Sequence, residues 1–461
     1  MPPPRERADR FCYDGYTIDP ARGEVRCTYS TAGHSFTERF GFGHGGDWEQ
    51  PAVEQAVRLL YLLVGVSYYK TAAAHRIDLG ATSSSDQERA FLTQFYVDGL
   101  GEFAYRNGVD LHDLSLVGPD ALATPNAEYT PVPNRPLIPF GGGIDSVVTA
   151  SAVRAMAPEA ALCIVHPPED RFAAIEDAAA VTTLPVLRIT REIDPLVRRS
   201  DELGFFNGHV PITAVITAAA LVAAILDRRD AVVLSNEWSA SVPTLVHGGR
   251  PVNHQWSKGM EFEEGFARLV AASIGPRIAV FSYLRSRSEL WVAQQFSRLT
   301  AFHGVFRSCN RAFQQNRSER LSHWCGVCDK CCFIDLMLAP FMGASELRAV
   351  FGGREPLENP ELKVRFMNLL GLAPDAKPFE CVGDVNECRA AVVLAGARSD
   401  RRDTALLQTL AAIVAATPGP AAPGAEPLDA AEPAATGLLA PLGPHYIPDR
   451  YAPSDLLVRA H

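Results

Sequence analysis

The sequence predicts an α/β protein with a parallel-sheet core, an N-terminal α+β domain and a small helical C-terminal region. Three observations predict it. Between residues 135 and 300, short β-branched runs alternate with helical segments, the pattern of strands joined by crossover helices. Ahead of that pattern, residues 11–42 alternate apolar and polar positions in three short segments. Beyond residue 343 the helical period dominates.

At 461 residues the chain is long enough for two or three full cores. Its 47% apolar and 21% charged content are those of an ordinary globular protein. A net charge of −10 argues against a non-specific nucleic-acid binder, so no nucleic-acid partner is expected. The first residues, Met-Pro-Pro-Pro-Arg-Glu-Arg, hold no apolar core and do not read as a signal peptide. The longest apolar run, 210–226, is rich in Ala and Thr and short for a membrane span; it reads as a buried helix. A cytoplasmic protein with no membrane partner is the expectation, and ten cysteines over this length do not make a disulfide scaffold.

Taken in order, segments 11–18, 24–29 and 35–42 read as an antiparallel meander. Pro51 opens a helix with Val53, Val57, Leu60 and Val64 at helical spacing. A second helix starts at Ser85-Asp-Gln-Glu88, a capping-box pattern, and carries Phe91, Phe95 and Tyr96; it continues or breaks near Gly99. Residues 1–130 are therefore expected to form one domain, with these aromatics in its core. The core domain, 131–342, is expected to hold strands at 137–140, 161–165, 186–189, 231–235 and 278–283. Helices at 146–156, 171–180, 210–227, 260–273 and 287–299 alternate with them. Helical segments near 344–351, 360–370 and 387–415 make the region 343–416. Residues 417–444, rich in Pro, Ala and Gly, read as a linker, and the tail 445–461 has enough apolar residues to dock back.

The chemistry concentrates where the first core strand ends. Phe140 is followed by Gly141, Gly142, Gly143, Ile144, Asp145 and Ser146, and then by a helical segment. Glycines let a backbone approach an anion, and the helix start offers unpaired N–H groups and a partial positive charge. Asp145 is placed to hold magnesium against bound phosphates, and Ser146 to donate a hydrogen bond to them. The spacing is neither that of a Walker loop nor that of the dinucleotide fingerprint. It resembles the Ser-Gly-Gly-x-Asp-Ser loop of the ATP pyrophosphatase (PP-loop) family, with Gly141 where the first Ser usually stands. That resemblance implies ATP cleavage to AMP and pyrophosphate on a fold like that of the adenine nucleotide alpha hydrolases. The alternative is a glycine-rich turn without a ligand.

In an open parallel sheet, ligands bind outside the carboxyl ends of the strands. Two polar loops fall there: 235–241, with Asn236, Glu237 and Ser239, and 253–258, with Asn253, His254, Gln255 and Lys258. His209 lies on the same edge, just before the Ala-rich helix. Their shared location makes them candidates, although each is equally compatible with an ordinary surface loop.

Cysteines 309, 325, 328 and 331 form two successive C-x2-C spacings with one thiol upstream, a set suited to tetrahedral zinc in a structural role. Iron–sulfur ligation uses the same residue types, and a metal-free cysteine-rich turn is the plain alternative. Cys332 is a surplus thiol, either core packing or a base. Cys381 and Cys388 belong to no such pattern. Arg307, Arg311, Arg317, Arg320 and Lys330 surround the cluster and suggest an anionic substrate, or simply a solvated helix face.

The glycine loop together with Cys-Gly-Val-Cys-Asp-Lys-Cys resembles the zinc-bearing cyano-deazaguanine synthases, which are about half this length. A closer resemblance is to the MurL family, the UDP-N-acetylmuramoyl-L-alanyl-L-glutamate epimerases. It is carried by residues 99–107, 139–146, 252–258 and 324–333. It implies that ATP adenylates the α-carboxylate of the terminal L-Glu of UDP-MurNAc-L-Ala-L-Glu or a related peptide. The acyl-adenylate makes Cα–H more acidic, a base removes the proton, and an acid returns one to the opposite face. Hydrolysis then releases the D-Glu product and AMP. His254, His209, Glu237 and Lys258 are the proton-transfer candidates, His254 first. Gly141, Gly142, Gly143, Asp145 and Ser146 are expected at ATP and magnesium, and Asn236, Ser239, Asn253, Gln255 and Arg311 at the peptide substrate. Two other readings stay open: an adenylating ligase or tRNA- or deazapurine-modifying enzyme, and a non-catalytic nucleotide-binding protein.

Overall fold

The period-2 patterns of the sequence become one sheet. The computed structural model describes residues 6–121, 126–314, 316–372, 382–417 and 432–453. The meander is β1 (Arg10–Asp19), β2 (Glu24–Thr31) and β3 (His34–Gly41), and the short β4 (Arg76–Asp78) and β5 (Ser115–Val117) follow. The core strands are β6 (Pro136–Pro139), β7 (Ala161–His166), β8 (Val186–Glu192) and β9 (Ala231–Leu234). A separate hairpin, β10 (Leu245–His247) and β11 (Arg250–Val252), precedes β12 (Ala279–Ser282). Ten strands order as β12-β9-β6-β7-β8-β3-β2-β1-β4-β5.

From β12 to β8 the neighbours run parallel, as the alternation of strands and helices requires. β3 then joins β8 antiparallel, pairing Arg39 with Glu192 and Gly41 with Thr190. The expected boundary near residue 130 therefore coincides with no break in the sheet. Gly41 permits this junction, because a Cβ there would lie 2.4 Å from Thr190 Oγ1. The protein is thus a mixed α/β molecule around a large, mostly parallel sheet.

Successive residues of the central strands point to opposite faces, and helices cover both. Leu137, Cys163, Val232 and Val280 enter the core that holds the meander aromatics and helices Pro51–Val64, Ile212–Leu226 and Met260–Ser273. Ile138, Leu162, Val233 and Phe281 enter the core that holds helices Ile144–Met156, Ala173–Thr182, Glu289–Phe296 and Asp329–Leu338. Helix Ile212–Leu226 is apolar on all sides because it lies between the sheet and helix Pro51–Val64. Among the described residues no helix is long and apolar enough to cross a membrane.

Strand order reverses at β6: the chain passes to β7 and β8 on one side, then returns to β9 and β12 on the other. That reversal leaves a crevice between the carboxyl ends of β6 and β9.

The C-terminal region departs from expectation in two places. The helical run expected over 387–415 is two helices, Val385–Gly396 and Ala405–Ala416. The turn between them carries Arg401 into the core, where it pairs with Glu355 at 2.6 Å with both side chains fully buried. Within the expected linker, Glu432–Gly437 is helical and Leu438 is buried; much of the remainder of 417–444, with Cys381 and residues 454–461, lies outside the described residues. The tail does dock back. Tyr451 donates its hydroxyl proton to the buried Asp230 carboxylate, 2.8 and 3.0 Å from its oxygens. Asp230 also accepts from the backbone N–H groups of Asn134 and Arg135, at the entry to β6. Tyr451→Phe should lower unfolding free energy by about 2 kcal/mol, the scale of a buried hydrogen bond to a charged group. Urea denaturation measures it, and an unchanged midpoint would show that the tail contributes nothing.

Candidate active site

The site begins with the glycine loop. Phe140 N–H donates to Cys163 O, so β6 continues to the edge of the sheet before the chain turns. Gly142 has φ +76°, and a Cβ there would lie 2.6 Å from the carbonyl oxygen of Ala174, so glycine is required twice over. A Cβ at Gly141 would meet nothing within 4 Å, which leaves the outer side of the loop open. Gly143 caps helix Ile144–Met156 in an extended conformation. Ser146, expected as a phosphate donor, gives its hydroxyl proton to Gly143 O at 3.0 Å and braces the loop. The donors left for an anion are the first amides of the helix.

Three carboxylates meet beside this loop. Asp145 stands in the first turn after β6, Glu237 follows β9, and Glu289 is the first residue of the helix after β12, behind the Ser288 cap. One oxygen of each lies within 4.8 Å of the others. Glu237 and Glu289 are buried and Asp145 is half-buried. Asp145 Oδ1 and Glu289 Oε2 are buried atoms that accept no hydrogen bond. Burial and the Glu237 charge push the Asp145 carboxyl up to about 7, against the pull of Lys330 and Lys258. Burial, then Asp145 and Glu237, raise Glu289 well above the ordinary carboxylate range. Burial and Asp384 push Glu387, which accepts from the backbone N–H of Glu289, up to about 8. Three carboxylates this close, with Asp145 and Glu289 both pushed up by burial and by neighbouring carboxylate charge, offer the oxygen donors that suit a divalent cation. The glycine cradle and the orphaned oxygens thus fit magnesium and a phosphate chain.

Arg285 holds the surrounding loops. Its buried guanidinium pairs with Glu263 at 2.7 Å and donates to the carbonyls of Glu237 and Lys258 at 3.0 and 2.6 Å. Asn236 donates to Ser282 Oγ at 3.0 Å, tying the end of β9 to that of β12. These are framework contacts for a residue expected at the substrate. Asn253 likewise donates to Ala240 O and accepts from Gln255 N–H, which shapes the loop after β11. Ser239 is buried beneath the loop.

A second cluster faces that loop. His254 Nδ1 lies 2.5 Å from Glu102 Oε2, and Arg106 donates to the other Glu102 oxygen at 2.6 Å. Burial works to raise the Glu102 carboxyl, but His254 and Arg106 together hold it below its ordinary value. The His209 ring lies 4.2 Å from that of His254. Burial first, then the His254, Lys258 and Lys70 charges, pull His209 down to about 4, so it is neutral near pH 7. Asn107 Nδ2 donates to Asn207 O, docking the His209 segment on helix Gly101–Asn107, and Lys70, at the end of helix Val66–Tyr69, donates from Nζ to Gly208 O. Lys258, whose Nζ donates to Gln255 Oε1 at 3.2 Å, acts electrostatically on both Asp145 and His209. Its charge thus acts on a member of each cluster.

Asp145 and Glu237 thus meet beside the glycine loop, His254 and His209 meet in a second cluster, and the Lys258 charge acts on a member of each. Arg311 is exposed on the cysteine loop. Of its basic neighbours, Arg317 and Arg320 pair with Asp170, and Arg307 with Asp177. The four expected cysteine ligands converge, while Cys332 is buried outside the group, its thiol raised by that burial. Sequence reasoning missed Glu289, Glu102 and Lys70. Glu289 had a usable signal, an acidic residue directly behind a Ser cap at the carboxyl edge of a strand.

Comparisons with known proteins agree along nearly the whole chain. Residues 4–283 match the family model of the MurL N-terminal domain and residues 305–423 that of the MurL C-terminal domain. The chain is 36% identical over 457 residues to the UDP-N-acetyl-alpha-D-muramoyl-L-alanyl-L-glutamate epimerase of Salinispora tropica, covering 97% of this chain and 95% of that protein. A protein of the same name from Micromonospora sp. is 35% identical over 97% of each chain. One from Xanthomonas oryzae pv. oryzae is 38% identical over 77% of this chain and 78% of its own.

The depressed His209 predicts a pH effect on stability. In the unfolded chain the ring takes a proton below its ordinary value of 6.5, but in the folded protein only below about 4. Between those values protons favour the unfolded chain, so stability should fall as pH drops from 6.5 to about 4 and be insensitive to this group above. His209→Gln should flatten that limb of the urea-denaturation profile. Parallel profiles would contradict the assignment.

Proposed function

This chain belongs to the MurL family, and from that premise we propose that it is an ATP-dependent epimerase of the terminal glutamate of UDP-MurNAc-L-Ala-L-Glu or a related peptide. As a family member it is an isomerase. The observation that carries the finer reading is the union, through Lys258, of a carboxylate cluster at a glycine loop with a histidine pair. The first half suits activation and the second suits proton transfer.

A free carboxylate is a poor electron sink, because removing the α-proton would build a dianion. Transfer of AMP to the α-carboxylate, with pyrophosphate leaving, removes that charge and acidifies Cα–H. The loop amides at Gly142, Gly143 and Ile144 cradle the phosphates. Asp145, Glu237 and Glu289 would hold a divalent ion, which when bound would neutralise charge on the phosphates. His254, oriented by Glu102, and the neutral His209 then exchange the proton. Ring centroids 4.2 Å apart leave no room for a carbon between them, so the pair serves one face of Cα. Lys258 is assigned the other. Hydrolysis of the activated acyl group releases the D-Glu product and AMP. A cavity of about 680 Å³ beside helix Gly101–Asn107, lined by Tyr105, His247 and Arg250, gives room for the nucleotide-sugar end of so large a substrate.

The two halves separate by mutation. Asp145→Asn should lower AMP formation about a hundredfold or more, because it removes charge from the cation site. His254→Gln should abolish inversion while retaining substrate-dependent ATP–pyrophosphate exchange. Turnover surviving in the first variant would refute the loop assignment. Loss of exchange together with inversion in the second would refute the division of roles. AMP release with a new covalent product would instead favour a ligase.

A further inference from the structure

We propose that Cys309, Cys325, Cys328 and Cys331 bind one zinc ion that staples the cysteine loop against the glycine loop. Their four sulfurs lie within 4.8 Å of one another. Cys331 Sγ is 3.4 Å from Cys328 Sγ and 3.6 Å from Cys325 Sγ. A tetrahedron of sulfurs about 2.3 Å from a zinc ion has edges of roughly 3.8 Å, so the thiols already hold the spacing of a closed four-thiolate site. They are too far apart for a disulfide, whose sulfurs lie about 2.05 Å apart.

The surrounding backbone is built for thiolates. Cys325 N–H donates to Cys309 Sγ at 3.4 Å, the kind of outer contact that orients a ligand and offsets its charge. Gly326 has φ +68°, which lets the chain turn between Cys325 and Cys328. Cys328 caps helix Asp329–Leu338, whose amino end favours negative charge. Four thiolates leave no open coordination position, so the ion is structural.

Both halves of the knuckle reach the candidate active site. Ser308, next to Cys309, packs so closely on Gly143 that a Cβ there would lie 2.8 Å from Ser308 Oγ. Lys330, next to Cys331, places its charge against Asp145 and Glu289. Between Cys309 and Cys325 the described chain forms only short 3-10 turns, so cross-linking its two ends is what fixes Ser308 and Lys330 relative to the sheet. The metal assignment is independent of the reaction proposed above.

Full-length protein purified without added metal should hold one zinc per chain by elemental analysis. Cobalt added after demetallation should give the intense visible bands of a tetrahedral thiolate site, a test that needs no variant. Cys331→Ser should lose the metal, whereas Cys332→Ser should keep it. On zinc removal, amide exchange at residues 141–146 should accelerate while exchange in β7 stays slow. A metal-free protein of full stability, iron with acid-labile sulfide, or metal loss only in Cys332→Ser would overturn the site. Unchanged exchange at 141–146 would overturn the staple.

Discussion

The constraint on which the rest of the structure depends is the meeting of Asp145, Glu237 and Glu289 at the carboxyl ends of β6, β9 and β12. Like charges in a low-dielectric crevice repel strongly, and a fold tolerates them only where positive charge, fixed dipoles or a cation compensates. Positive charge and fixed dipoles are both visible here. Lys258 approaches from the loop after β11 and Lys330 from the first turn of helix Asp329–Leu338, and two helices direct their amino ends at the cluster. Arg285 is used differently: its charge is matched by Glu263, and its remaining donors fix the loop carbonyls that set where Glu237 and Lys258 stand. The doubly wound strand order creates the crevice, and the cluster gives it chemistry.

The histidine cluster depends on a different convergence. Glu102 comes from a short helix before the core strands, His209 from the segment ahead of helix Ile212–Leu226, and His254 from the loop after β11. Only the packing of the N-terminal helices against the sheet brings these three together. That union explains why residues 1–130 share a core with the parallel strands. One region supplies the orienting carboxylate, and the other supplies the rings. Adjacent groups are thus held in opposite states at one pH, Glu102 ionised and His209 neutral.

Much of this was legible because the signals are local. Three glycines and an Asp between a strand and a helix carry their meaning within eight residues, and helix Met260–Ser273 follows the expected bounds because its apolar period is strong. Position at the strand ends picks out the polar loops but does not order their residues, so His254, Glu237 and Lys258 stand there on the same footing as Asn236 and Asn253. Glu289 was hidden because an acidic residue in a first helical turn is also what any helix dipole favours. Glu102 sits in a seven-residue helix, where periodicity says little. The pairing of β3 with β8 rests on three residue pairs, and only the tight contact at Gly41 marks it. Asn236, Asn253 and Ser146 are polar residues at the same edge, and each gives a hydrogen bond to the framework.

In the proposed mechanism, activation at the carboxylate cluster and inversion at the histidines are successive steps on one substrate. Turnover of UDP-MurNAc-L-Ala-L-Glu with ATP and magnesium in deuterium oxide tests it most directly. Each inverted product should carry one deuterium at the glutamate Cα, with AMP formed in at least equal amount. Inverted product that retains its original hydrogen, or inversion that proceeds without nucleotide, would contradict it.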